Sequence, residues 1–136
     1  MDLIDSHCHI DVTAFDADRD VVLSRCRQQG IRRLIVPAID AKGWDGLLAL
    51  CEKEQGLYPA LGLHPVFLEQ HQADDVQKLD AKLAAAKVIA VGEIGLDFYI
   101  KELDRQQQIE LFEAQLAIAA KYDLPVILHT LSLIHI

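Results

Sequence analysis

The chain has 136 residues, 51% of them hydrophobic, which is enough for one packed domain. Its formal net charge of −8 argues against a general nucleic-acid-binding surface, because phosphate contacts need clustered Lys and Arg; it leaves a nucleic-acid substrate open, since bound metal ions can supply positive charge locally. Cys8, Cys26 and Cys51 are an odd number with no closely spaced pair; with no signal peptide at the start they read as reduced thiols of a cytoplasmic protein.

No apolar run approaches the roughly 20 residues that span a bilayer, so no membrane partner is expected, and no protein partner is predicted. Residues 2–6 read as a first strand, leading into His7-Cys8-His9. Side chains alternate along a strand, so His7 and His9 project from one face, close enough together to grip one metal ion. Cys8 alternates to the other side and reads as core. The plainer reading is two polar residues in a loop after a buried strand.

Residues 16–29 read as a helix: Asp16 or Asp18 can cap it, Val22 and Cys26 share a face, and Gly30 closes it. Residues 34–36, Leu-Ile-Val, form a second strand, apolar throughout as in a parallel sheet buried on both faces. A second helix spans about 42–55, with Leu47, Leu48, Leu50 and Cys51 inward. Residues 58–63 make a third strand ending in Gly62-Leu63-His64-Pro65, and His71 falls in the polar loop beyond, where it reads as solvated. A third helix covers about 75–86, with Val76, Leu79 and Leu83 on one face. Residues 88–91 make a fourth strand, followed at once by Gly92-Glu93-Ile94-Gly95-Leu96-Asp97. A fourth helix runs from near Asp104 to Tyr122, with Ile109, Phe112, Leu116 and Ala119 as its apolar stripe. Residues 125–128 make a fifth strand that ends at His129.

The alternation of uniformly apolar strands with helices is the mark of βαβ units and a parallel sheet, an α/β fold. A doubly wound sheet and a (β/α)₈ barrel are both compatible with that pattern. His7 and His9 follow the first strand, His64 the third, Glu93 the fourth and His129 the fifth. Parallel α/β folds gather those strand ends on one face, where barrels build their sites. Three nitrogens and a carboxylate converging in one pocket form a ligand set for one metal ion, or for two bridged by Glu93. Taken singly, each residue has a bland alternative. His64 before Pro65 could close a turn, Glu93 could be an exposed turn carboxylate, and His129 could be a satisfied histidine at a strand end. Asp97 could cap a turn or orient a ligand histidine.

Five motifs occur in order over residues 1–129: Ile4-Asp5-Ser6-His7-Cys8-His9; Gly62-Leu63-His64-Pro65; Gly92-Glu93-Ile94-Gly95-Leu96-Asp97-Phe98; the helical set Gln108, Phe112, Gln115-Leu116 and Ala119; and Leu124-Pro125-Val126-Ile127-Leu128-His129. On these the chain resembles the TatD family of metal-dependent hydrolases, within the wider amidohydrolase-like barrels. The resemblance implies a partial TIM-type (β/α)₈ barrel, about five strands and four helices, with one or two divalent ions at its C-terminal mouth. His7 and His9 would hold one ion, catalytic Glu93 would bridge two, and His129 would belong to the second. His64 would lie beside the pocket and contact substrate phosphate. DNA would be the substrate and partner, cleaved at phosphodiester bonds in the 3′-to-5′ direction by metal-activated water. Zn²⁺, Mn²⁺, Fe²⁺, Co²⁺ and Mg²⁺ all suit such donors.

The chain departs from that pattern at its end. A full barrel takes about 250 residues, and the family's further His and Asp from later strands have no counterpart here; His135 lies too near His129 to replace them. Residues 1–129 are therefore read as the N-terminal part of one hydrolase barrel, and 130–136, an apolar ending without helical pattern, as a non-native tail. A partial barrel leaves strand edges unpaired, so this fragment is expected to be poorly soluble and inactive by itself. Two other functions fit the same residues: a related barrel hydrolase of a small amide or ester, and a non-catalytic metal-binding module.

Overall fold

The structure is a computed structural model that describes residues 1–132. Its strands are β1 (Leu3–Asp5), β2 (Ile31–Pro37), β3 (Leu57–Leu61), β4 (Ala90–Asp97) and β5 (Val126–Leu131). All neighbours pair in parallel, in the order β1-β2-β3-β4-β5. Each connection carries a helix: α1 (Arg19–Gln28), α2 (Trp44–Lys53), α3 (Asp75–Ala85) and α4 (Arg105–Lys121). Strand order that follows chain order, with every crossover helical, curls the sheet into a half-barrel. That settles the fold in favour of the partial (β/α)₈ barrel over the doubly wound sheet, whose strand order reverses at a switch point.

The core lies between the sheet and its helices. Val36, Leu61, Val91 and Ile94 from the strands meet Leu23, Leu47, Leu79 and Ala119 from the helices, all buried. Burial of this kind contributes about 1.5–3 kcal/mol for each large apolar side chain. Trp44 packs into the same core and its indole Nε1–H donates to the Gly62 carbonyl at 3.1 Å, tying α2 to the end of β3.

Two element boundaries differ from expectation for one reason. β4 does not stop at Val91 but runs to Asp97, and β5 does not stop at Leu128 but runs to Leu131. The Gly-Glu-Ile-Gly segment that reads as a turn pairs instead with β5, Ile94 opposite Leu128 and Gly95 opposite His129. Its glycines answer close packing rather than a bend. A Cβ on Gly62 would stand 2.9 Å from the Gly92 Cα, and Gly95 sits at φ +148° with no room for a side chain. Glu93 and His129 therefore project from within strands, a stiffer support than loops.

The start of α1 also differs. Residues 13–15 form a 3₁₀ turn and the helix opens at Arg19, so Asp16 lies outside it, and Asp18 occupies the cap position without a side-chain cap bond. Arg19 explains the shift: its guanidinium donates to the carbonyls of Ile10, Asp11 and Val12 and to Asp16, holding the loop after the histidines in place. Asp104, by contrast, caps α4, accepting from the Gln107 N–H at 2.8 Å. Within the segment 130–136, Thr130 and Leu131 pair with Leu96 and Asp97; residues 133–136, His135 among them, lie outside the described residues.

Among the described residues β1 and β5 each pair on one side alone. Ile4 is 58% exposed and Leu128 49%, with Leu3 and Leu131 also open to solvent. Unpaired strand edges carrying apolar side chains template association. The 136-residue chain expressed alone is therefore expected to self-associate, which sedimentation velocity would show as species heavier than monomer; a monodisperse monomer at tens of micromolar would contradict it.

Candidate metal centre

Glu93 stands near the middle of β4 and is 5% exposed. Its backbone is braced from β2: the Glu93 N–H donates to the Ala38 carbonyl at 3.0 Å, and the Ala38 N–H donates to the Gly92 carbonyl at 3.1 Å. The carboxylate is therefore aimed by a backbone lattice.

Four imidazoles surround it. His7 Nε2 lies 3.0 Å and His9 Nε2 3.1 Å from Glu93 Oε2, and the two nitrogens are 3.2 Å from each other. His64 Nε2 lies 3.5 Å from the same oxygen. The other oxygen, Oε1, is 3.2 Å from His129 Nδ1. Every candidate ligand residue read from the sequence is thus brought to one carboxylate.

Hydrogen-bond chemistry separates their roles. His9 Nδ1 is 2.9 Å from the Pro37 carbonyl, which only accepts, so Nδ1 carries the proton. In the neutral ring Nε2 is then a bare lone pair facing a carboxylate oxygen and a second imidazole nitrogen. Acceptors this close repel unless a cation, proton or metal, stands among them. His129 stands between two carboxylates, its Nε2 2.9 Å from Asp97 Oδ2 and its Nδ1 3.2 Å from Glu93 Oε1; a proton on Nε2, at the shorter contact, leaves the Nδ1 lone pair toward Glu93. Asp97 is itself held by N–H donors from Tyr99 and Ile100.

His64 is wired the other way. Its Nδ1 accepts from the Val66 N–H at 3.1 Å, so the neutral ring carries its proton on Nε2 and is a donor toward Glu93. Although His64, Glu93 and His129 offer ligand atoms within 4.8 Å of one another, this tautomer suits a hydrogen bond to an anion better than a metal ligand.

The donor set fits a divalent ion. Nitrogen and oxygen donors held about 2.05 Å from one ion stand roughly 2.9 Å apart in octahedral and 3.3 Å in tetrahedral coordination. The separations among His7, His9 and Glu93, 3.0 to 3.2 Å, fall in that window. A second set on Glu93 Oε1 with His129 leaves the carboxylate able to serve two ions.

The electrostatics agree. Burial by itself would push the Glu93 carboxyl up, but hydrogen bonds from His64 and His9, with the charges of His64 and His7, outweigh it and hold the group well below the usual carboxylate range. Burial is likewise overcome at Asp97, chiefly by His129 and by the Tyr99 N–H, and its carboxyl is lowered. The hydrogen bond to Glu93 raises His9 above the usual imidazole value against the opposing effect of burial.

Asp97 both caps a turn, through the Tyr99 and Ile100 N–H groups, and meets His129 Nε2 with its other oxygen. Cys8 packs against the core as expected, and burial raises its thiol pKa. His71 is not simply solvated: its Nε2–H donates to the His64 carbonyl at 2.9 Å, and its Nδ1 is buried without a partner among the described residues. The Pro37 carbonyl escapes sequence reasoning because backbone acceptors leave no compositional trace.

A model of the TatD related DNase family matches residues 4–133. The chain belongs to that family. It is 46% identical over 129 residues to YjjV of Escherichia coli K12, described as an uncharacterized metal-dependent hydrolase, covering 93% of this chain and 50% of that protein. It is 33% identical over 128 residues to the 3′-5′ ssDNA/RNA exonuclease TatD of Pantoea ananatis, covering 93% of this chain and 49% of that one. The crystal structure of E. coli YjjV, a TatD homologue, superposes with a TM-score of 0.91 at 45% identity, covering 96% of this chain and 51% of the other. A TatD-family hydrolase of Entamoeba histolytica has the same fold, with a TM-score of 0.83 at 22% identity, covering 97% of this chain and 50% of that one. This TatD-family chain thus spans about half the length of the relatives it matches.

These shifts fix the pH response of the metal-free protein. The lowered Glu93 and Asp97 carboxyls contribute stability that is present above the ordinary carboxylate pKa of about 4 and is lost as pH falls below it. The raised His9 contributes stability that is complete below about pH 6.5 and is lost as pH rises through its folded value. Thermal unfolding in a chelator is expected to peak between those limits. Glu93→Gln, which removes the carboxylate that lifts His9, is expected to lower the peak and flatten the alkaline flank; a variant profile superposing on wild type would contradict the assignment.

Proposed function

We propose that His7, His9, Glu93 and His129 hold one or two divalent ions, and that the complete protein is a cytoplasmic hydrolase cleaving DNA phosphodiester bonds from the 3′ end. The observation that carries this reading is the single buried carboxylate with two imidazole nitrogens, from His7 and His9, against one oxygen and a third, from His129, against the other. The names of the TatD relatives support a single-stranded nucleic acid as substrate.

A divalent ion held here would supply Lewis acidity toward a phosphoryl oxygen and acidify a coordinated water. The chain's own residues do the rest. His9 is locked by the Pro37 carbonyl with Nε2 toward the centre. His129 is locked by Asp97 in the same sense. Glu93, held ionised, would offset the charge of bound cations, with one oxygen toward His7 and His9 and the other toward His129. His64 Nε2–H, its tautomer fixed by the Val66 N–H, would donate to a substrate phosphate oxygen. The net charge of −8 disfavours a long duplex footprint and favours a strand end docked at the ions. Nitrogen and carboxylate donors suit Zn²⁺, Mn²⁺, Fe²⁺ or Co²⁺, and Mg²⁺ is a further option for phosphoryl chemistry.

Metal-loaded full-length protein should degrade end-labelled single-stranded DNA and leave small amide and ester substrates intact; the reverse preference would move the reading to a small-molecule hydrolase. His9→Ala and Glu93→Gln are each expected to cut DNA turnover at least about 100-fold, the consequence of losing several kcal/mol of charge stabilisation, and to weaken metal binding in isothermal titration. His64→Ala is expected to cut turnover about 10-fold with metal affinity unchanged, as for one lost hydrogen bond to a charged group. Tight metal binding without turnover on any of these substrates would instead point to a binding module.

A further inference from the structure

Gln108 and Gln115 lie seven residues apart on α4, two turns along one face, and are 1% and 0% exposed. A buried primary amide is costly unless both its donor and its acceptor are matched. Here both are, and in the same way. Gln108 Oε1 accepts from the Asp97 N–H at 2.7 Å while its Nε2 donates to the Asp97 carbonyl at 2.9 Å. Gln115 Oε1 accepts from the Leu63 N–H at 2.7 Å while its Nε2 donates to the Leu63 carbonyl at 3.1 Å. Each side chain thus grips both backbone polar groups of one residue, as a neighbouring strand would.

The sheet shows why such grips are needed. β3 pairs with β4 only at Ala60–Ala90 and Leu61–Val91. Beyond that point β3 has ended; Ala38, next after β2, bonds Gly92 and Glu93, and from Ile94 to Asp97 β4 pairs, among the described residues, with β5 alone. Leu63 and Asp97 are left with backbone groups facing the gap, and the two amides from α4 replace the missing ladder. The gripped residues are not arbitrary. Leu63 is bonded directly to His64, and Asp97 carries the carboxylate that holds His129 Nε2.

We propose that Gln108 and Gln115 are positioning residues for the centre: Gln108 sets His129 through Asp97, and Gln115 sets the donor His64 through Leu63. The assignment rests on the reading of Glu93 and its histidines as a metal centre. It makes α4, which contributes no ligand, the element that aligns one half of the site to the other. Only Gln meets the requirement. Glu lacks the donor in its ionised form, Asn is one methylene short, and Met of similar length has neither group.

The test uses full-length protein with Co²⁺ as the probe, read by visible absorption, and imidazole ¹⁵N resonances of the metal-free protein. Gln108→Met is expected to weaken Co²⁺ binding about 10- to 100-fold, the usual effect of removing support behind a ligand, to alter the absorption envelope, and to shift the His129 ring resonances while those of His7 and His9 stay in place. Gln115→Met is expected to shift the His64 resonances and leave Co²⁺ affinity within about 3-fold of wild type. Ile118→Val, a cavity on the same helix, should lower the melting temperature and move neither readout. If the Met variants do not fold, Gln108→Glu and Gln115→Glu, which keep the acceptor, are read the same way. Folded variants with wild-type histidine resonances overturn the proposal, as would an equal displacement in Ile118→Val. A wild-type protein that binds no Co²⁺ sinks the metal reading alone, because the resonances still report the positioning.

Discussion

One buried carboxylate organises the molecule. Glu93 offers two oxygens to four imidazoles that arrive from β1, the end of β3 and β5. Two of those rings have their protons fixed on the far nitrogen by acceptors outside the cluster, Pro37 for His9 and Asp97 for His129. Their near nitrogens therefore confront the carboxylate as lone pairs. Such a set of mutually repelling acceptors is unfavourable in isolation and favourable around a cation. The surrounding backbone, from Ala38 behind Glu93 to Val66 behind His64, is what holds the groups together.

Rigidity follows from where those groups are mounted. Glu93 and His129 are strand residues, opposite partners of residues in the adjoining strand or one step from them. Their glycine neighbours serve contact between backbones, and the grip of α4 on Leu63 and Asp97 continues the sheet where the strands separate. These side chains are thus fixed by main-chain geometry, the kind of support that keeps a site within the tolerance chemistry requires.

The alternation of apolar runs with amphipathic stretches makes the order of elements legible in the sequence, and all five strands and four helices form where that rhythm places them. The strand ends are less legible. Gly92 and Gly95 carry the local signal of a turn, and only pairing with β5 reveals that they serve close approach. His7, His9, Glu93 and His129 could be singled out because they recur at equivalent positions after apolar runs. The division of labour between His64 and the others could not, since it depends on which backbone group each ring meets. Gln108 and Gln115 are visible as motif residues, yet two polar side chains on an apolar stripe give no hint that they complete a sheet.

β1 is three residues long, with Leu3 and Ile4 open to solvent, yet it delivers His7 and His9 to a partner 86 and 84 residues further along the chain. A contact of that separation closes a very long loop, and its entropy must be met before the contact gives anything back. The cluster is therefore expected to assemble late, after the intervening units have folded and brought their strands into register. Once formed, the contact between β1 and β4 acts as a cross-link over nearly two thirds of the chain, clasping the least supported strand to the best supported one. The closing of the cluster and the retention of its weakest strand are then a single event.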